Sequence, residues 1–93
     1  MIEPSGDRLR VTVPMVIANA SALLEAGRSR LTGGDAVFDL AGVAEADSSS
    51  LTLLFAWQRT AEARGARLRI VNPPASMVSL AALYGVSDLL PLA

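Results

Sequence analysis

The feature that most restricts the fold of this chain is the repeated change of its hydrophobic period. Leu9-Arg10-Val11-Thr12-Val13 alternates apolar and polar residues, the pattern of a half-buried strand, and Pro14 ends it because proline cannot donate to a ladder. From about Asn19 the spacing becomes helical, with Ala20, Leu23, Leu24, Gly27 and Leu31 on one face and Asn19 as the expected N-cap. Thr32-Gly33-Gly34-Asp35 supplies turn chemistry, and Ala36-Val37-Phe38-Asp39-Leu40 reads as a short central strand. Leu51 to Arg64 is the strongest helical segment, closed by Gly65, and Ala66 to Val71 is a further strand. Asn72-Pro73-Pro74 presets the last helix, on which Met77, Leu80, Ala81 and Tyr84 are expected to share the core side before Gly85 stops it. Val86 to Ala93 is an apolar tail that either folds back on the core or serves self-association.

This β-α-β-α-β-α order, with an extra strand expected at Ile2-Glu3, predicts one α/β domain over residues 1–93. Its sheet should be mixed but mostly parallel, of about four strands, with helices packed on it through right-handed crossovers. Hydrophobic residues make up 52% of the chain and aromatics 4%, so aliphatic side chains must build the core. The N-terminal residues carry no basic stretch followed by an apolar one, and no apolar run approaches the ~20 residues needed to span a bilayer. The expectation is a cytoplasmic protein with no direct membrane insertion.

Absent residue types exclude whole classes of chemistry. With neither Cys nor His there is no disulfide, no zinc site of the usual kind, no thiol nucleophile and no imidazole base. Neither a catalytic residue, a metal site nor a cofactor is therefore expected. All eight basic residues are Arg, set against nine carboxylates for a net charge of −1, which argues against nucleic acid as a partner. The spacing of Arg8/Arg10 and Arg67/Arg69 puts the members of each pair on one face of a strand, read as a solvated surface. Gly33-Gly34 is no phosphate loop, since no Gly-Lys-Ser/Thr follows.

The informative segment is Asp47-Ser48-Ser49-Ser50, where a loop enters the second helix. Asp47 is the expected N-cap and the serines the first three helical positions, where free N–H groups and the positive end of the macrodipole gather. Such a start is either a plain polar cap or a place to hold an anion, including a phosphate on one of the serines. The helix behind it carries two apolar stripes, Leu51/Leu54/Phe55/Ala61 and Leu53/Ala56/Trp57/Thr60. The second stripe means either burial on two sides or a partner surface. Leu53 and Trp57 are candidate partner contacts, with Trp57 either an interface anchor or a cover for the core edge.

Phe38-Asp39-Leu40 followed by Asp47-Ser48-Ser49-Ser50-Leu51 resembles the central signature of STAS domains, found in sulfate transporters and anti-sigma factor antagonists. The ending from Ser79 to Pro91 resembles the MlaB-type branch, cytoplasmic STAS subunits of phospholipid-transporting ABC systems. The resemblance implies a non-catalytic regulatory subunit, peripheral to the inner membrane through its partner. That partner would be an ABC-type, MlaF-like ATPase, with Asp47, Ser48, Ser49, Ser50, Leu53 and Trp57 at the contact. The alternative it implies is an antagonist that binds an anti-sigma factor kinase and is switched off by phosphorylation. Antagonists are phosphorylated at the position of Ser49; MlaB-type subunits depend on the position of Ser48. The signature glycine is replaced here by Ser50. Aspartate at position 48 or 49 is expected to leave the fold intact and weaken docking.

Overall fold

The computed structural model describes residues 1–92. Its elements are β1 (Ile2–Ser5), β2 (Arg8–Val11), α1 (Ile17–Arg28), β3 (Ala36–Asp39), α2 (Ser49–Ala63), β4 (Leu68–Val71), α3 (Ala75–Leu83) and a 3₁₀ turn (Ser87–Leu89). The sheet runs β1-β2-β3-β4, antiparallel between the first two and parallel thereafter. This is the mixed, mostly parallel sheet read from the sequence. The expected strand at Ile2-Glu3 is longer and forms a hairpin with β2 through Gly6, whose φ of 63° suits a tight turn. The tail folds back: Pro91 C=O accepts from Ile70 N–H at 2.8 Å and Leu90 is buried. The tail's last residue, Ala93, lies outside the described residues.

Each crossover steps the sheet in the same direction, so right-handed connections place the helices on one face. Burial alternates accordingly. Val11, Phe38, Leu68 and Ile70 point into the core, while Arg8, Arg10, Arg67 and Arg69 are exposed on the other face. Both sheet edges are guarded. On β1 the outward-facing residues are Ile2 and Pro4; Pro4 has no N–H, and Arg30 Nη2 donates to Ile2 C=O at 3.4 Å. The folded-back tail covers part of the β4 edge.

Several sequence expectations shift. α1 begins at Ile17, with Val16 and not Asn19 at the N-cap; the Asn19 amide instead donates back to Pro14 C=O at 2.9 Å. The helix ends at Arg28, short of Leu31, and Arg64 Nη1 donates to the freed Arg28 carbonyl at 3.0 Å and to the Leu31 carbonyl beyond it. The first strand stops at Val11 rather than Val13. Tyr84 is 57% exposed instead of lining the core, since α3 ends at Leu83 before the turn at Gly85 redirects the chain.

The core contact that sets the helix layer is Trp57 on Gly27. A Cβ on Gly27 would stand 2.1 Å from Trp57 Nε1, so only glycine lets the indole lie this close to α1. The ring packs edge-on to Phe38 at 4.8 Å and its N–H donates to Leu24 C=O at 3.3 Å. Gly27→Ala should therefore cost about 1–3 kcal/mol from overpacking against a helix-propensity gain of about 1 kcal/mol, a net loss of up to about 2 kcal/mol. Urea unfolding followed by circular dichroism checks it, and the penalty should shrink when Trp57 is also shortened to Phe.

Candidate functional site

The start of α2 is built by two loops fastened together. Met15 N–H donates to Glu45 C=O at 2.9 Å and Asp47 N–H to Met15 C=O at 3.2 Å, a short parallel bridge joining the approaches to α1 and α2. Buried Met15, Val43 and Ala46 anchor both loops in the core. The Asp47 carboxylate then serves both helices. Its Oδ2 accepts from Ile17 N–H at 3.0 Å; its Oδ1 accepts from Ser49 N–H at 2.9 Å and from the Ser49 hydroxyl. One carboxylate thus satisfies free donors at two helix N-termini, where negative charge is favoured. The Ser49 hydroxyl bond, then the Ile17 amide, hold its carboxyl below the ordinary value.

Asp47 therefore sits one residue before the N-cap, a position that Ser48 takes without a side-chain bond to the helix. This displaces the expected numbering by one: Ser49 is N1 and Ser50 N2. The three serines end up in different surroundings. Ser48 is exposed and free; Ser49 is half-buried and held by Asp47; Ser50 is fully buried, its Oγ without a hydrogen-bond partner. Ser50 is thus no surface contact. Nor are Leu53 and Trp57, 4% and 0% exposed. The second apolar stripe of α2 is spent on α1, so both sides of that helix are covered from within the domain.

What the sequence did not disclose lies next to Ser48. A depression of about 720 Å³ opens between the start of α1, the first turns of α2 and the end of α3, bringing Ser48, Thr52, Phe55, Ile17, Tyr84 and Val86 together. Ile17 is 74% exposed, and no local pattern marked it. The Met15 bridge and the Asp47 bond to its N–H hold it here. The one carboxylate lining the depression is Asp47, and both of its oxygens accept hydrogen bonds at the two helix starts.

A second carboxylate, Asp39, orders the neighbouring strand ends. It accepts from Ala41 N–H at 2.9 Å and Asn72 Nδ2 at 3.0 Å, and Arg8 lies 3.5 Å away. The hydrogen bond from the Ala41 N–H, then that from the Asn72 side chain, hold its carboxyl below the ordinary value as well. Asn72 adopts a φ of 54°, a conformation that asparagine tolerates better than most residues. This explains the acidic residue in a central strand.

Two outcomes follow from this geometry. Removing the orphaned hydroxyl by Ser50→Ala should stabilise the fold by about 1 kcal/mol, read from denaturant midpoints. Because Asp39 and Asp47 release their protons more readily folded than unfolded, their contribution is complete above the ordinary carboxylate range. It is lost as pH falls below about 4. The fall in Tm between pH 7 and pH 3 should be smaller in the Asp39→Asn/Asp47→Asn variant.

Known proteins place this architecture. The chain superposes on an anti-sigma factor antagonist from Thermotoga maritima with a TM-score of 0.76 at 16% identity, covering 99% of this chain and 83% of that one. The murine solute carrier 26 family member A9 anion transporter contains a similar unit, with a TM-score of 0.75 and 18% identity over 90% of this chain and 15% of the transporter. The antagonist SpoIIAA in its unphosphorylated form gives 0.63 at 16% identity, covering 86% and 78%. At these identities the likeness is one of fold. No curated protein sequence matches the chain. The family model described as "Mlab, STAS domain" matches residues 2–91, nearly the whole chain, so this protein belongs to the MlaB-type STAS-domain family.

Proposed function

We propose that the chain is a non-catalytic docking subunit for the ATPase of a phospholipid-transporting ABC system. It would be held at the inner membrane through that MlaF-like partner. The observation that carries this reading is the depression at the start of α2. There a free hydroxyl, Ser48, stands beside the exposed apolar side chains of Ile17 and Tyr84. Membership of the MlaB-type family supports the choice of partner. The subunit would stabilise the ATPase by surface complementarity, without a cofactor and without lipid touching this chain. Among the described residues no helix is long and apolar enough to cross a membrane, in keeping with attachment through a partner.

A second reading is favoured by the fold likeness to anti-sigma factor antagonists: binding of a serine-kinase-like anti-sigma factor, ended by phosphorylation. Geometry separates the two candidate serines under that reading. A phosphate on Ser48 would add about −1.5 to −2 charges at an open surface, blocking docking without disturbing the helix start. The same group on Ser49 would replace the hydroxyl that Asp47 holds and set like charges side by side, loosening the start of α1 as well. The expectation that aspartate is harmless to the fold at both positions therefore narrows to position 48.

Affinity purification from the protein's own cells tests both readings, comparing the wild type with Ser48→Asp and Ile17→Asp. Recovery of an ABC-type ATPase that either substitution reduces at least tenfold is the expected result. Recovery of a serine-kinase-like protein in its place would transfer the function to the second reading.

A further inference from the structure

Both α1 and α2 begin without a cap of their own. Val16 has the extended backbone of an N-cap, φ −125° and ψ 165°, but an aliphatic side chain that accepts nothing, and Ser48 makes no side-chain bond to its helix. Asn19, the nearest residue of capping type to the start of α1, donates back to Pro14 C=O. Among the described residues the side-chain acceptor at both first turns is the single Asp47 carboxylate, 3.0 Å from Ile17 N and 2.9 Å from Ser49 N. The two starts are held unequally in other respects. Ser50 and Leu51, in the first turn of α2, are buried, whereas Ile17 and Ala18, in the first turn of α1, are exposed. The Met15 bridge ties the chain two residues before Ile17, short of the helix itself. Loss of the shared cap therefore frees α1 before α2.

Resting on the docking reading above, we infer that Asp47 is a positioning residue of the docking surface and not one of its contacts. Each of its oxygens is bonded within the domain, Oδ2 at α1 and Oδ1 at α2, and the two helix starts carry Ile17 and Ser48 to the same depression. Through Oδ2 the carboxylate sets where Ile17 stands relative to Ser48, so a partner meets an apolar side chain and a free hydroxyl at a fixed spacing. Holding the first turn of α1 in one arrangement removes an ordering cost that binding would otherwise carry.

The test is Asp47→Asn, because the amide keeps the carboxylate's shape with one acceptor oxygen in place of two, and its NH₂ cannot accept from Ile17 N–H. In the full ¹⁵N-labelled chain the Ile17 and Ala18 amides should shift and exchange faster, while those of Leu53 and Trp57 keep their wild-type positions. Purified from the protein's own cells, this variant should retain about tenfold less of the partner that the wild type brings down. Adding Val16→Ser gives α1 an acceptor of its own and should return retention to within about threefold of the wild type. A partner that touched the carboxylate itself would gain nothing from a cap at position 16. Undiminished retention by Asp47→Asn, an unmoved Ile17 amide, or no gain from Val16→Ser would overturn the inference and leave the docking reading standing. Retention of the partner by Ile17→Asp sinks the docking reading, and this inference with it.

Discussion

The seating of Trp57 in the notch left by Gly27 governs how the helix layer is assembled. With a side chain at position 27 the two helices would have to separate, and the edge-on packing of the indole against Phe38 would go with them. Close approach fixes how far α1 is advanced along α2, and therefore where their N-termini lie relative to each other. At this offset a single carboxylate, Asp47, reaches the first amide of α1 and the first amide of α2 together. Packing at one end of the helix pair thus prepares the polar arrangement at the other. The exposed positions of Ile17 and Ser48 follow from it.

The sheet's uncovered face and its edges are polar or capped. A sheet with parallel strands usually has both faces covered. Here the open face is made tolerable in water by interleaved charge. Arg10 lies opposite Glu3, Arg8 is 3.5 Å from Asp39, and Asp35 accepts the Arg67 amide. Pro4 and Arg30 blunt one sheet edge, and the returning tail occupies part of the other. Two of the exposed large apolar side chains, Ile17 and Tyr84, stand beside the serine that the helix start leaves free. An unused hydroxyl next to uncovered aliphatic surface is the arrangement expected of a docking site.

The three serines show where reading a sequence reaches its limit. Side by side in the chain they are chemically identical, and helical numbering suggested three equivalent places on a polar cap. A helix turns by about 100° per residue, however, so adjacent side chains point to different surroundings. One faces solvent, one Asp47, and one the packed interior, where its hydroxyl finds no partner. Trp57 makes the same point from the apolar side. The doubled stripe on α2 correctly signalled burial on two faces, yet hydrophobicity cannot say whether the second cover comes from α1 or from another protein. Asn19 departs from expectation for a related reason: its own type favours capping, but the first amide of α1 is taken by a carboxylate 30 residues away.

Local periodicity, turn residues and the right-handed crossover rule determined the order of elements, the mostly parallel sheet and the position of the Asp-Ser-Ser-Ser helix start. These depend on neighbours in the chain, whose relation is set by backbone geometry. The lack of Cys and His likewise excludes thiol and imidazole chemistry on composition alone. Tertiary structure alone decided that Ser48 is the free hydroxyl, that Leu53 and Trp57 are interior, and that Ile17 and Tyr84 line the depression beside Ser48. Exposure at those positions depends on which distant segment arrives to cover them. That is settled by close packing between helices and by long-range hydrogen bonds, which leave no periodic mark on the sequence.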